Sequence, residues 1–273
     1  MEQYLWLVPV GFVIGAYGTL IGAGGGFVLV PLLLLFYPEE SSQTITSISL
    51  AVVFFNALSG SIAYARARRI DYYSGMLLAL ATVPGAVLGA LTTAYIPRRL
   101  FDLLIGFLML GGAAFLFWRP GGEALPGRKR RPGEFERRVV EADGTEHIFS
   151  YNRRLGVGLS LLVGYVSSLL GIGGGFIHVP ALVGLLNFPV HIATATSHFV
   201  LAVMALAGTV THIATGAFQH GLGIRRTIML SVGVVVGAQL GARLSSRIRG
   251  DWIIRSLALA LALVGARLLW AAL

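Results

Sequence analysis

The chain has no cysteine among its 273 residues. That excludes disulfides, thiolate metal centres and cysteine redox chemistry. Of its 21 basic residues only Lys129 is a lysine, and charged residues make up just 12% of the sequence. A soluble domain carries roughly 25%. Twelve acids are present, yet none falls deep inside a long apolar stretch. Asp102 and Asp251 stand at the starts of such stretches, where helix capping accounts for them. No His-Glu-x-x-His spacing occurs and no histidine has an acidic neighbour at depth, so an enzyme, a metal site and a cofactor site are not expected. What is abundant is apolar: 56% of residues are hydrophobic and mean hydropathy is +0.79. This is the composition of a multi-pass membrane protein. The pI near 10.5 does not point to nucleic acid, because the basic residues cluster between apolar stretches, as topology-setting loop charges do. The Met1-Glu2-Gln3-Tyr4 start lacks the positive region of a signal peptide, so no processing is expected.

A bilayer core of about 30 Å needs roughly 20 apolar residues per helix. Eight stretches qualify: about 4–36, 44–65, 72–95, 100–118, 154–186, 191–216, 224–246 and 252–271. Three parts follow: an N-terminal membrane repeat over 1–118, a basic insert over 119–153, and a C-terminal membrane repeat over 154–273. The insert holds Arg119, Arg128, Lys129, Arg130, Arg131, Arg137, Arg138 and Arg153. Apolar arms around Asp143-Gly144 suggest a β-hairpin within it. The positive-inside rule places the insert, the Arg66–Arg69 loop, the loop before 224 and both termini in the cytoplasm. Arg98, Arg99, Arg247 and Arg249 then fall outside, against the rule.

Two of these stretches contain a glycine triad: Gly22-Ala23-Gly24-Gly25-Gly26-Phe27 and Gly171-Ile172-Gly173-Gly174-Gly175-Phe176. Each is followed by a proline, Pro31 or Pro180. Each glycine costs a helix about 1 kcal/mol relative to alanine. Broken helices at membrane depth persist where freed backbone groups face protein or a water-filled cavity, and matched breaks in two halves point to a transporter binding site. Successive glycine N–H groups can form an anion-binding concavity, strengthened by the positive end of the following half-helix. Tight helix packing also favours small residues, so both readings fit the triads. The repeat extends to Thr46-Ser47 against Thr196-Ser197, and to Pro84-Gly85-Ala86 against Val236-Gly237-Ala238. Four crossings per half predict parallel repeats; a re-entrant glycine element makes the count odd and the repeats inverted.

The polar residues at depth are the remaining candidates. Thr46, Ser47, Thr196 and Ser197 can cap helices or donate to an anion's oxygens. Asn56, Gln239, His178, His198 and His212 need partners or a cavity. Gln239 fits an interhelical hydrogen bond or a ligand contact equally, and Arg243 shares its face, either attracting anions or snorkelling outward. The candidate substrate site is therefore Gly24, Gly25, Gly26, Thr46, Ser47, Asn56, Gly173, Gly174, Gly175, Thr196, Ser197, His198, Gln239 and Arg243. Without an intramembrane carboxylate, a cation substrate is disfavoured. An anion leaving a negative interior gains about 2.3 kcal/mol per charge per 100 mV, which suits export.

These motifs resemble the TauE/SafE family of sulfite and organosulfonate exporters. The second half carries the likeness most specifically, in Gly171-Ile172-Gly173-Gly174-Gly175, Val179-Pro180, His191, Ala195-Thr196-Ser197 and Gly237 to Arg243. The first half departs at Ile45, where family members often have alanine. The resemblance implies export of sulfite or a small sulfonated anion across a prokaryotic cell membrane. The combined expectation is an all-α membrane carrier of about eight helices in two four-helix repeats. It binds a small anion at the midplane by alternating access, without cofactors or nucleic acid. An anion channel, or export of another small oxyanion or carboxylate, is the alternative. A homodimer is compatible with the sequence.

Overall fold

The computed structural model describes residues 4–118, 134–218, 222–245, 247–248 and 250–272. Arg119, Arg128, Lys129, Arg130, Arg131 and Arg249 of the topology argument lie outside them. The first half contains α1 (Leu7–Leu20), α2 (Gly26–Phe36), α3 (Ser42–Arg66), α4 (Tyr72–Thr93) and α5 (Arg98–Trp118). Then come β1 (Phe135–Val140) and β2 (Glu146–Tyr151), an antiparallel pair with Phe135 opposite Tyr151. The second half repeats the helices as α6 (Arg153–Leu170), α7 (Gly175–Gly184), α8 (Val190–Ala214), α9 (Leu222–Ser245) and α10 (Gly250–Ala272). Among the described residues, α3, α4, α8 and 223–245 of α9 are long and apolar enough to cross a membrane. The chain is an all-α membrane protein apart from the small β-hairpin.

The glycine breaks reverse the chain. With 14 and 11 residues, α1 and α2 rise about 21 and 16 Å at 1.5 Å per residue, about two-thirds and about half of a bilayer core. The ring of Trp6, before α1, meets that of Phe36, at the end of α2, at 5.2 Å. The two half-helices therefore form a V whose open end is at one end of the bundle. In the second half, Gly156 near the start of α6 lies beside Leu186, just past α7. Left-handed backbone at Gly24 and Gly25 (φ 73° and 79°), and at Gly171 and Gly173 (φ 68° each), makes both reversals; a side chain disfavours that region.

Helix directions follow from close contacts. Gly11 abuts Leu230 and Gly15 abuts Val234, so α1 and α9 run parallel. Gly85 abuts Leu161 and Gly89 abuts Tyr165, so α4 and α6 also run parallel. These are the same pairing with the halves exchanged. The equivalent helices α3 and α8 are antiparallel, because Gly60 meets His198 while Gly208 meets Leu50. α5 and α10 are antiparallel too, Gly112 lying by Leu261 and Gly106 by Leu269. The repeats are thus inverted, each a half-helix hairpin plus three long helices. This corrects the expectation of four crossings and parallel repeats in each half; the triads turn the chain back where a kink would have let it continue.

Inversion also corrects the topology. The β-hairpin lies at the end where α3 finishes and α8 begins, whereas α1 begins and α10 finishes at the opposite end. The hairpin and the outer ends of α1 and α10, expected on one side, therefore lie at opposite ends of the bundle. Small residues set the packing throughout: a Cβ on Gly237 would sit 2.1 Å from Phe12 O, and one on Gly85 2.2 Å from Leu161 O. Without a hydrophobic drive between helices in lipid, such close backbone approach is a main source of association.

Candidate functional site

The tips of the two hairpins meet at the centre of the molecule. A Cβ on Gly26 would lie 2.5 Å from Ile172 O, and one on Gly175 would lie 2.2 Å from Gly22 O. The Phe27 and Phe176 rings stack just beyond. Both half-helices leaving the tips, α2 and α7, start without a side-chain cap, as α1 and α8 also do; α3, α4 and α6 are capped by Ser41, Asp71 and Asn152. Their first N–H groups have no intrahelical acceptors, and the positive ends of two helix dipoles converge there. Pro31 and Pro180 lie inside α2 and α7. Lacking an N–H, they free the Phe27 and Phe176 carbonyls from helical pairing.

Hydroxyl groups surround these tips. Thr46 packs its Cα against Gly171 and its Oγ1 is buried without a hydrogen-bond partner. Ser49 Oγ donates to Gly171 O at 2.6 Å, and Ser197 Oγ donates to Gly22 O at 3.4 Å. Ser197 also lines a narrow gap with Gly174, Gly175, Thr82 and His178, too small to admit a water molecule. His178 Nε2 lies 3.2 Å from Ser160 Oγ. Ser167 and Ser168 add buried hydroxyls without partners. Among the described residues, no group of three His, Asp or Glu side chains is placed to hold a metal.

Not every expected residue joins this centre. Ser47 turns back to the Gln43 carbonyl, 2.6 Å away. Thr196 Oγ1 accepts from Asp71 N, tying α8 to the α3–α4 turn. Asn56 and His198 sit together one layer away: Thr19 Oγ1 donates to Asn56 Oδ1 at 3.1 Å and lies 3.2 Å from His198 Nε2. Tyr64 completes that cluster by donating to Thr19 O at 2.6 Å. Gln239 and Arg243 are farther off, in an open cavity at the β-hairpin end, where Gln239 Nε2 donates to Ser59 O. Sequence reasoning passed over Thr19, Ser49, Tyr64 and Ser168. Thr19 and Ser168 each precede a triad by three residues, a repeat signal that could have found them; Tyr64 has none.

The hairpin is pinned to both halves. Arg137 grips buried Asp71 through Nη2 at 2.7 Å and Nε at 3.1 Å, and Tyr151 OH donates to Ser74 Oγ. Phe149 packs on Phe188 of the α7–α8 loop at 4.4 Å. Glu141 accepts from Arg69 Nε at 2.6 Å and pairs with His147 at 2.8 Å. Burial pushes the Glu141 carboxyl up, but hydrogen bonds from His147 and Arg69 outweigh it and hold the group below its ordinary value.

Residues 7–268 match the family described as sulfite exporter TauE/SafE. The chain belongs to that family. Curated relatives agree in kind: the Bacillus subtilis "Probable membrane transporter protein YunE" is 29% identical over 98% of both chains. The Methanocaldococcus jannaschii "Probable membrane transporter protein MJ0441" is 21% identical over 90% of this chain and 89% of its own length. A second Bacillus subtilis relative, "Probable membrane transporter protein YdhB", is 26% identical over 88% and 89%. No solved structure matches the chain. This TauE/SafE member is a multi-pass membrane transporter.

Proposed function

We propose that this transporter exports sulfite or a small sulfonated organic anion across a prokaryotic cell membrane. The anion would bind between the tips, at the backbone N–H groups of Gly25, Gly26 and Gly173 to Gly175, with Thr46 and Ser197 as neutral donors; the Gly24 N–H is already given to Gly18 O at 3.1 Å. The observation that carries this reading is the convergence of two uncapped half-helix N-termini in a layer without carboxylates. Neutral donors hold an anion loosely enough for release. The direct contact between tips favours a carrier with alternating access over an open channel.

In this reading α1–α2 and α6–α7 are re-entrant, and α3, α4, α5, α8, α9 and α10 cross the membrane. The hairpin end carries Arg66, Arg68, Arg69, Arg137, Arg138, Arg153, Arg154, Arg243 and Arg247; the other end carries Arg98, Arg99, Arg225 and Arg226. The positive-inside rule then puts the hairpin in the cytoplasm and both termini outside. Arg247 now obeys the rule, and Arg225 and Arg226 join Arg98 and Arg99 as exceptions.

Flux into proteoliposomes tests the substrate. Saturable, voltage-driven movement of sulfite or sulfoacetate with counterflow, and none of sodium, is expected. Flux limited to cations overturns the anion site; flux without saturation or counterflow converts the carrier into a channel.

A further inference from the structure

At the cytoplasmic end of this reading, α3, α9 and the β-hairpin turn enclose an open cavity of about 430 Å³. Arg66, Arg69 and Arg243 line it with Gln239, Glu141 and Asp143. Both carboxylates are engaged within the protein: Glu141 by Arg69 and His147, Asp143 by the Thr145 N–H at 2.9 Å. Arg69 is only 8% exposed, yet its Nη1 has no hydrogen-bond partner. A buried, unpaired guanidinium N–H is costly; Nη1 has no surface open to the cavity, so an anion would reach the Arg69 guanidinium by displacing the Glu141 carboxylate. Guanidinium forks match the oxygens of tetrahedral anions. Arg66 and Arg243 are exposed at the mouth.

A polar route leads inward from this cavity. Gln239 Nε2 donates to both Ser59 O and Ser59 Oγ. The next residue, Gly60, touches the His198 ring, and His198 meets Thr19, three residues before the first triad.

We propose that this cavity is a loading site for a sulfur oxyanion or sulfonate, separate from the site between the tips. The Glu141 carboxylate on the hairpin is its tethered stand-in, occupying Arg69 when no ligand is bound. The ligand's identity rests on the transport reading above; the cavity's affinity for oxyanions does not.

Because the chain has no cysteine, one introduced thiol reports on the cavity. Ala63→Cys, on its wall, would be labelled with a neutral maleimide in the full-length purified protein. Sulfate is the probe, since sulfite consumes the reagent, and chloride at matched ionic strength is the control. Sulfate at three times its Kd should slow labelling about fourfold, and chloride should not. Adding Arg243→Gln or Arg66→Gln should weaken the protection. Adding Glu141→Gln should lower the sulfate concentration that half-protects. Equal labelling with sulfate and chloride, or protection unchanged by both arginine variants, overturns the site. An unchanged or higher half-protecting concentration in Glu141→Gln overturns the stand-in. Protection without sulfite or sulfoacetate flux refutes the substrate reading and leaves the cavity standing; flux without protection does the reverse.

Discussion

Phe27 stacks on Phe176 with ring centroids 6.5 Å apart and planes inclined by 27°. Each residue directly follows the last glycine of its triad, and the contact lies on the axis relating the inverted halves. A movement of one hairpin tip is therefore felt at once by the other, as a two-sided carrier requires.

The tips leave no room for a methyl group. A Cβ on Gly175 would lie 2.2 Å from Gly22 O and 2.5 Å from Ala23 Cα, both backbone atoms. Gly175→Ala should cost about 1–3 kcal/mol, as overpacking does, and abolish most flux. Gly158→Ala, on α6 with open space around it, should be neutral or gain up to about 1 kcal/mol of helix propensity. Thermal midpoints compare the two; equal midpoints would mean that the tips are not in contact.

Asp71 is fully buried at its side chain and held by Arg137. Arg137→Ala leaves that carboxylate uncompensated, at a cost of about 3–5 kcal/mol. The double variant Asp71→Ala with Arg137→Ala should recover part of the loss. Protease cleavage within 134–152 should rise in the single variant first. Equal cleavage of the single variant and the parent would show that the pair does not hold the hairpin down.

Glu141 has a lowered pKa in the folded protein. Its stabilising contribution is complete above the ordinary value of 4.5 and is lost as pH falls through the depressed folded value. Hairpin protection from protease should fall below about pH 4.5 in the parent, and Glu141→Gln should lack that component. Identical profiles between pH 7 and pH 3 would dissociate Glu141 from docking.

The inverted layout has its own test with single cysteines. Thr145→Cys and Arg247→Cys should react with an impermeant reagent from one side of the membrane. Glu39→Cys and Arg225→Cys should react from the other. An eight-crossing layout instead separates Thr145 from Arg247, and Glu39 from Arg225, so either split result removes the re-entrant hairpins.

Much of this was legible along the chain. The apolar stretches gave helices α3, α4, α8 and α9, because length and hydropathy alone decide whether a segment can lie in lipid. The motifs from Gly171 to Arg243 placed the chain in its family. Legibility stopped at direction: a glycine triad that kinks a helix and one that reverses it have the same composition. Here the choice rests on left-handed backbone at Gly24, Gly25, Gly171 and Gly173, and on the meeting of Trp6 with Phe36.

The candidate site divided in the same way. Local order showed that Gly26 and Gly175 were equivalent; only the tertiary packing set Gly26 against Ile172 and Gly175 against Gly22. Gln239 and Arg243 share a helix face by spacing, but the level of that face followed from the parallel run of α1 beside α9, and it set them at the hairpin end. Ser47 and Thr196 looked like ligand donors; Ser47 donates to the Gln43 carbonyl, and Thr196 accepts from the Asp71 N–H. The sequence by itself determined that the protein lives in a membrane, is built twice, and keeps charge out of its centre, since these depend on transfer energies and repetition along one chain. The tertiary structure alone decided which way each half faces and which polar groups meet, because those depend on contacts between residues more than a hundred positions apart.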